Sequence, residues 1–485
     1  MASAVTSLTV FNVDRSTQPL RSRIIDFDRR LKRSIGGCLW LYKEVKMAGS
    51  YCRRWAAVAG GVSILALALA GCSGGGSSND REGVKTITWL VGNTENSVAS
   101  ADKVAEEFMA ANPGIKVEVE TRPGGAEGDN IIKTRLSTGD MADVFNYNTG
   151  SLLQQIGPEQ NLQPITGESY VSEVSDSFKP VVTSGSEMYG VPFGSGMAGG
   201  VLYNKKVYEK LGLSVPKTWA EFMDNSRKIK DAGIAPIIQS YQTTWTSQLF
   251  VLGDFANVMA AEPNFAADYT ANKAKYATST AAVKGFQHLE EAGKAGLFNE
   301  DFASTTFEQA QAKLINGEGA QYPILTFALS NIKLTFPDKL NELGLFPLPG
   351  DDASKNKLTV WMPDATYIPK STKNLEEAKK LQEFIASKAG CDAQTSAVGA
   401  QGPYLVKSCE LPADVPDAVK DMLPFFADES KNSPALEFLS PVKGPALEQI
   451  TVEVGSGIRS AKDGAALYDE DVKKQAKQLN LPGWN

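Results

Sequence analysis

The chain has 485 residues, 42% hydrophobic and 22% charged, which is an ordinary composition for globular domains and enough sequence for two or three of them. Its formal net charge is −7, and an acidic balance argues against nucleic acid as a partner. A single histidine, His288, excludes any metal centre built from several histidines.

The N-terminal region has the pattern of an export signal. Arg53 and Arg54 precede an apolar block, residues 55–71, which is about as long as a signal peptide and too short for a comfortable membrane span. The Leu-Ala-Gly-Cys sequence at 69–72 resembles a bacterial lipobox, which implies cleavage before Cys72 and lipidation of its sulfur. The paired arginines leave twin-arginine export as an alternative route.

A signal peptide begins close to its basic region, yet 46 residues precede Met47. We therefore expect translation to start at Met47, with residues 1–46 as an upstream extension, 47–71 as the signal peptide and the Gly/Ser-rich 72–83 as a flexible tether. N-terminal mapping of the unprocessed precursor tests this start site, and a precursor beginning at Met1 would refute it.

Removal of the signal segment makes the chain more acidic. The first 71 residues contain 11 of the 49 basic and 4 of the 56 acidic residues, so the remainder has 38 basic and 52 acidic residues and a net charge of −14. Only five arginines follow Cys72, which disfavours a strongly anionic ligand held by an arginine fork. A neutral ligand fits this composition better.

Two cysteines, Cys391 and Cys409, remain after the predicted lipidation site. An even pair in an exported protein predicts a disulfide, with two free thiols as the alternative.

The first elements after the tether predict an α/β sheet. Residues 86–91 have the composition of a strand, 98–112 have helical spacing of apolar residues, and 115–120 alternate apolar and charged residues as a strand does. Strand, helix and strand in this order indicate a βαβ unit.

Ligands of open α/β sheets lie beyond the carboxyl ends of the strands. The residues that follow the first strand and the later strand ending at Phe145 are therefore cleft candidates, with turn or capping roles as the alternative: Asn93, Glu95, Asn96, Tyr147 and Asn148.

Residues 189–238 combine a glycine-rich crossing between two domains with two capped helices. Asn204 is a predicted N-cap, and Thr218 with Glu221 forms a predicted capping box. Phe193, at the crossing, is a candidate ligand contact, whereas Tyr203, Asn204 and Trp219 are interpreted as structural.

Further aromatic and acidic side chains are placed at predicted loop tips. Tyr241 and Trp245 lie in a polar stretch, 239–248, and are candidate ligand platforms, with core anchors as the alternative. A neutral sugar offers hydroxyls to polar side chains and C–H faces to aromatic rings. The remaining candidates of this kind are Tyr322, with Phe327 beside it, Trp361, Asp364 and Tyr404.

Several short sequences carry a family resemblance when taken together and in order. They are Asn-Pro-Gly-Ile-Lys-Val-Glu-Val at 112–119, the Gly-x-x-x-Asp-Val pattern ending at Val144, the stretch 189–219, the Gly-Glu-Gly-Ala sequence at 317–320 and Ser-Thr-Lys-Asn-Leu-Glu-Glu-Ala at 371–378. Together they resemble the family 1 extracellular solute-binding proteins of ABC transporters, whose members include maltose and oligosaccharide receptors.

The resemblance implies an α/β fold of the periplasmic-binding-protein type (type II), in which two lobes joined by several strand crossings enclose a cleft. Lobe 1 is expected to comprise 84–190 and 360–400, and lobe 2 to comprise 191–359 and 401–485. Closure is expected about crossings near 192–200, 348–358 and 399–405, with 361–364 returning the chain to lobe 1. Residues 439–443 lack the aromatic pair that maltose receptors place in this region, which argues against maltose.

The implied function is that of a monomeric, lipid-anchored receptor on the extracellular face of the cell membrane, which delivers a neutral oligosaccharide to the permease subunits of an ABC importer. It needs no cofactor, metal or catalytic residue, and the sequence after the tether has no Gly-x-Ser-x-Gly, Cys-x-x-Cys or P-loop pattern. The alternatives are a polyol, phosphate ester or peptide ligand, a surface glycosidase, since paired carboxylates lack a short motif, and a sensory or adhesion protein.

Overall fold

The structure is a computed structural model that describes residues 83–484. The predicted start site, signal peptide and lipidated Cys72 lie outside the described residues. Within residues 83–484, no helix combines the length and the apolar character that a membrane crossing requires.

The strands in this range run as follows: β1 (Lys85–Gly92), β2 (Ile115–Arg122), β3 (Val144–Tyr147), β4 (Thr183–Ser184), β5 (Glu187–Met188), β6 (Gly190–Phe193), β7 (Met197–Asn204), β8 (Ala235–Ile237), β9 (Gly319–Leu325), β10 (Leu343–Pro347), β11 (Leu358–Trp361), β12 (Asp364–Tyr367) and β13 (Asn432–Pro434).

The α-helices between the same limits are α1 (Glu95–Ala111), α2 (Gly125–Thr138), α3 (Ser151–Gln155), α4 (Pro158–Asn161), α5 (Lys205–Lys210), α6 (Trp219–Asp231), α7 (Leu249–Leu252), α8 (Phe255–Ala261), α9 (Phe265–Thr270), α10 (Lys284–Lys294), α11 (Phe307–Asn316), α12 (Ala328–Thr335), α13 (Leu375–Ile385), α14 (Lys388–Val398), α15 (Asp417–Phe426), α16 (Leu436–Leu439), α17 (Leu447–Gly455) and α18 (Ala461–Gln478). Short 3₁₀ helices are at Ser169–Glu173, Lys179–Val182, Thr244–Gln248, Pro337–Glu342, Ala353–Lys355 and Glu429–Lys431.

The first lobe is built on a five-stranded sheet with the order β2-β1-β3-β12-β6. Strand β1 pairs in parallel with β2 and β3, which confirms the predicted βαβ unit, while β12 runs antiparallel to β3 and β6. One apolar core joins these strands to α1 and α13, through residues such as Trp89, Phe108 and Leu381.

The second lobe is built on a sheet with the order β13-β11-β7-β9-β8, and β10 also pairs with β7. Much of the glycine-rich sequence belongs to β7 itself rather than to the crossing. A Cβ at Gly199 would lie 2.2 Å from the Trp361 ring of the neighbouring strand, so only glycine allows this close packing. The strand is covered by apolar clusters that include Phe222 and Phe250 on one side and Leu314 and Ile324 on the other.

The sheets place the lobe limits a few residues from the expected ones. Strand β6 belongs to the first sheet although lobe 2 was expected to begin at 191, and β11 extends the second sheet to Trp361. The loop 348–357 joins two strands of the second sheet, so the crossing expected there is wrong. The other crossings lie at 194–196 and 362–363, within the expected 192–200 and 361–364.

The segment after α14 belongs to the first lobe for more residues than expected. Leu405 packs in the first-lobe core, and Val406 pairs with Val174 in an isolated bridge. The structure contains the predicted disulfide between Cys391 and Cys409, which ties the end of this segment to α14.

The predicted helix starts in the second lobe are confirmed. The Asn204 side chain accepts a hydrogen bond from Val207 N at 3.0 Å, and Thr218 with Glu221 forms the full capping box. Trp219 is structural as expected, since its ring stacks on His288 with 4.0 Å between centroids. Burial lowers the pKa of His288 to about 4.

Candidate functional site

A cleft between the lobes contains two adjoining cavities that share part of their walls. Their volumes are about 950 and 1360 Å³, including space open to solvent. Trp245, Phe327 and Asp364 line both cavities, so these side chains mark the junction.

The first cavity, which we call the aromatic cavity, has ring side chains whose positions are fixed by neighbouring rings. Phe193 packs edge-on against Trp89 at a centroid distance of 5.2 Å. Trp245 contacts Phe307 at 5.2 Å, and Phe307 in turn stacks on Phe327 at 6.2 Å. Preorganised rings of this kind bind a ligand face without losing much side-chain entropy.

Polar groups complete the aromatic cavity. Asn96, Asn146 and Gln401 line it and are each less than a tenth exposed. Tyr404 is half-buried, and its hydroxyl forms a hydrogen bond with Thr395 Oγ1. These groups offer hydrogen bonds to a ligand whose water has been displaced.

The second cavity, which we call the charged cavity, is lined by six charged side chains: Arg122, Asp129, Asp364, Glu437, Lys443 and Glu448. Lys443 Nζ donates to Glu437 Oε2 at 2.8 Å, and Trp361 Nε1 donates to Glu437 Oε1 at 2.5 Å. Arg122 donates from its Nη2 atom to the Asn146 carbonyl at 3.2 Å. The acids outnumber the bases by four to two.

Three carboxylates in this cavity are shifted towards their protonated forms. Partial burial raises the pKa of Asp129, against the lowering effect of Arg122. It also raises the pKa of Asp364 and Glu448. Asp364 is accessible from the cleft, but protein surrounds it on the remaining sides, so it is still partly removed from bulk water.

Seven of the twelve predicted ligand-binding residues line the cleft: Asn96, Asn148, Phe193, Trp245, Trp361, Asp364 and Tyr404. They come from both lobes. The structure therefore brings together residues that are spread over more than 300 positions of sequence.

The other five do not line either cavity. Asn93 is exposed at the turn before α1, and Glu95 is exposed at the first position of α1. Tyr147 is fully buried beneath Arg122, whose guanidinium lies 5.7 Å from the ring centroid. Its phenol therefore faces protein and is not in contact with the cleft.

Tyr241 and Tyr322 are core residues of the second lobe. Tyr241 packs edge-on against Phe302 at 5.3 Å, as the core alternative expected. Tyr322 is 1% exposed and shares a hydrogen bond with Ser240 Oγ at 2.6 Å. Strand β9 continues past Tyr322 to Leu325, so Leu325 and the following Phe327 reach the cleft in its place.

Sequence reasoning missed most of the charged cavity. Arg122 is the last residue of β2, so the rule about carboxyl ends of strands could have found it. Glu437, Lys443 and Glu448 follow no strand of the first sheet and carry no local signal. No group of three or more His, Cys, Asp or Glu side chains in the described part of the chain is arranged to hold a metal ion.

Comparison with known proteins gives a consistent result. A family model described as bacterial extracellular solute-binding protein matches residues 92–390. The multiple sugar-binding protein of Streptococcus mutans is 26% identical over 333 residues, which cover 67% of this chain and 77% of that protein. An uncharacterised ABC transporter extracellular-binding protein of Pyrococcus horikoshii is 27% identical over 346 residues, 67% of this chain and 76% of that protein.

Among solved structures, RafE in complex with raffinose superposes with a TM-score of 0.66 at 20% identity. The match covers 81% of this chain and 99% of RafE, and it shows that the two-lobed fold is shared.

Proposed function

Because the chain belongs to the bacterial extracellular solute-binding protein family, we propose that it captures a neutral oligosaccharide between its two lobes and delivers it to an ABC importer. The observation that carries this proposal is the cleft itself, where fixed aromatic rings adjoin hydrogen-bonding side chains. The names of the sugar-binding relative and of the raffinose complex support a sugar as the ligand.

The cleft has the two kinds of contact that a sugar requires. The half-buried rings of Trp245, Phe327 and Tyr404 offer faces and edges to C–H groups of a pyranose ring. Asn96 and Asp364 offer donors and acceptors to hydroxyl groups. We propose the seven predicted residues that line the cleft as ligand contacts, together with Phe327 and Arg122.

The charges favour a neutral ligand. The four carboxylates of the charged cavity outnumber Arg122 and Lys443, and Lys443 is already paired with Glu437 at 2.8 Å. A phosphorylated or acidic sugar would meet an excess of like charge. A neutral polyol remains a test case, since it could use the same hydroxyl contacts but not the ring faces.

Isothermal titration calorimetry against uncharged mono- and oligosaccharides, polyols and uronic-acid-containing sugars tests the proposal. We expect at least one neutral oligosaccharide to bind with a Kd of about 1 μM, equivalent to roughly −8 kcal/mol. A panel in which no neutral glycan binds, or in which only acidic sugars bind, would refute it.

We also propose that the protein binds its ligand without chemical change. Carboxylates are plentiful in the cleft, and a glycosidase would use a pair of them. Chromatography after overnight incubation is expected to recover the bound oligosaccharide intact. Release of reducing ends above the rate without protein would instead favour the hydrolase.

The description of the family as extracellular solute-binding proteins supports a location outside the cytoplasm. We propose in addition a lipid anchor on Cys72, a monomeric receptor and a permease partner. Cys72→Ala is expected to move the protein from the membrane fraction to the soluble fraction. An unchanged distribution between the fractions would remove the anchor from the proposal.

A further inference from the structure

Two helices of the first lobe begin at the cleft without a cap from their own lobe. Helix α1 starts after Thr94 and α2 after Gly124, and neither N-cap residue supplies a side-chain hydrogen bond. The first N–H groups of a helix have no partner within the helix. Either water or another part of the protein must therefore accept hydrogen bonds from these N–H groups.

The second lobe supplies the missing partner of α1. Asn331, on α12, accepts a hydrogen bond through Oδ1 from the backbone N–H of Asn96 at 3.0 Å. Asn96 is the second residue of α1, a position whose N–H an N-cap side chain normally satisfies. Asn331 is 2% exposed, and it lines neither cavity.

The second lobe also places a polar group at the start of α2. Glu448, on α17, directs its carboxylate at Gly125, the first residue of that helix. The carboxylate lies 3.4 Å from the place where a side chain at Gly125 would begin. Glu448 is 6% exposed, and a negative charge at a helix N-terminus is favourable.

We propose that Asn331 and Glu448 are closure latches, which stabilise the starts of α1 and α2 from the opposite lobe, Asn331 by a hydrogen bond and Glu448 by its negative charge, and thereby stabilise the closed arrangement of the cleft. Opening exposes both helix starts to water, so each latch contributes the difference between a stabilised and a hydrated helix end. The loss of one cap changes an equilibrium by about fivefold, which corresponds to ~1 kcal/mol. The sugar affinity depends in part on this equilibrium, an inference that rests on the proposed function.

The test measures closure without any ligand. A donor and an acceptor dye are attached through non-canonical amino acids at Glu106 and Lys228, which are exposed on α1 and α6 in different lobes. Single-molecule energy transfer then gives the ratio of closed to open molecules. Asn331→Ala and Glu448→Ala are each expected to lower this ratio about fivefold, and the double variant about 25-fold, because the two latches are on separate helices.

Matched variants remove caps that lie within one lobe. Ser387 caps α14 in the first lobe, and Thr306 caps α11 in the second, each with an acceptor distance of 3.3 Å. Ser387→Ala and Thr306→Ala are expected to lower thermal stability but to leave the closed-to-open ratio unchanged. Glu448→Gln keeps an acceptor oxygen and is expected to lower the ratio less than Glu448→Ala.

The outcomes separate the latch from the ligand assignment. An unchanged ratio in both latch variants, an equal change in the within-lobe controls, or a free protein without closed molecules would overturn the latch. Because Asn331 lines neither cavity, an equal fold-loss of sugar affinity in Asn331→Ala would support the link between closure and binding. A protein with the expected ratios that binds no sugar would keep the latch and refute only the proposed ligand.

Discussion

Trp245 is the side chain on which the proposed binding depends most. It lies on the 3₁₀ helix Thr244–Gln248, lines both cavities and is held against Phe307. Trp245→Ala removes a ring face at the junction of the cavities, so we expect sugar affinity to fall at least tenfold, about 1.4 kcal/mol. Calorimetry with the strongest ligand of the panel measures this change.

Tyr241→Phe is the matched control for Trp245→Ala. Tyr241 is four positions earlier, but it is 4% exposed, lines neither cavity, and its hydroxyl has no hydrogen-bond partner. Its removal is expected to leave the affinity within twofold. If Trp245→Ala binds as tightly as the wild type, Trp245 is not a ligand contact.

Asp254 makes the stability of the second lobe depend on pH. Its side chain is 2% exposed, and burial raises its pKa to about 7, against the lowering effect of the hydrogen bond from Asn257. Asp351 raises the pKa further, while Lys284 lowers it. An aspartate in the unfolded chain ionises near pH 3.9, so between about pH 4 and 7 only the unfolded state has lost this proton.

The native state is therefore destabilised as the pH rises through this window, by roughly 1.4 kcal/mol per unit and ~4 kcal/mol in total. Relative to the wild type, Asp254→Asn is expected to gain stability from pH 4 to 7 and to show a constant difference above pH 8. Urea unfolding at several pH values measures this difference. Asp338→Asn, at an exposed position, controls for the substitution itself, and parallel curves for Asp254→Asn and wild type would contradict the prediction.

At the level of elements, the disulfide encloses a segment that contributes to the cleft. Cys391 and Cys409 are 18 positions apart, and the loop between them contains Gln401 and Tyr404. Closing a loop of this length stabilises a protein by about 3 kcal/mol, mainly by restricting the unfolded chain. The variant with Cys391→Ser and Cys409→Ser is expected to lose about this much free energy of unfolding.

Urea unfolding with and without a reductant checks the disulfide prediction. Reduced wild-type protein and the double serine variant are expected to unfold at the same urea concentration, below that of oxidised wild type. A variant as stable as the oxidised wild type would show that the loop is restrained by its packing alone.

The predictions succeeded where chemistry is local. The capping box at Thr218 and the βαβ unit at β1 depend on neighbours a few positions away, and a short pattern specifies them. The carboxyl-end rule placed Asn96 and Asn148 at the cleft. Tyr322 was expected at a loop tip there, but β9 continues for three residues past it. In a strand, such an error moves a side chain from the cleft into the core.

The parts that could not be predicted depend on contacts between distant segments. Glu437 and Lys443 pair near Trp361, about 80 positions earlier in the chain, and no periodicity links these sites. The observed lobe limits differ from the predicted ones for a similar reason. Residues 401–409 continue with the first lobe because Leu405 packs in its core and Cys409 is bonded to α14. The sequence predicted the disulfide, but no pattern shows the core partners of Leu405.

At the level of the whole molecule, the cleft offers a ligand contacts from both lobes. Asn96 and Asn148 belong to the first lobe, whereas Trp245 and Phe327 belong to the second. Ligand at 100 times its Kd stabilises the native state by about 2.7 kcal/mol. If the sugar contacts both lobes, this free energy suppresses local unfolding within both lobes and not only within one.

Hydrogen exchange followed by mass spectrometry distinguishes a ligand that protects both lobes from one that protects a single lobe. We expect the sugar to slow exchange at residues 95–98 and 148–151 of the first lobe and at 244–249 and 325–329 of the second, by a similar free energy. Trp245→Ala at the same sugar concentration controls for effects of the solvent and is expected to show weaker protection in both lobes. Protection confined to one lobe would mean that the ligand binds a single wall of the cleft, and closure would then contribute nothing to affinity.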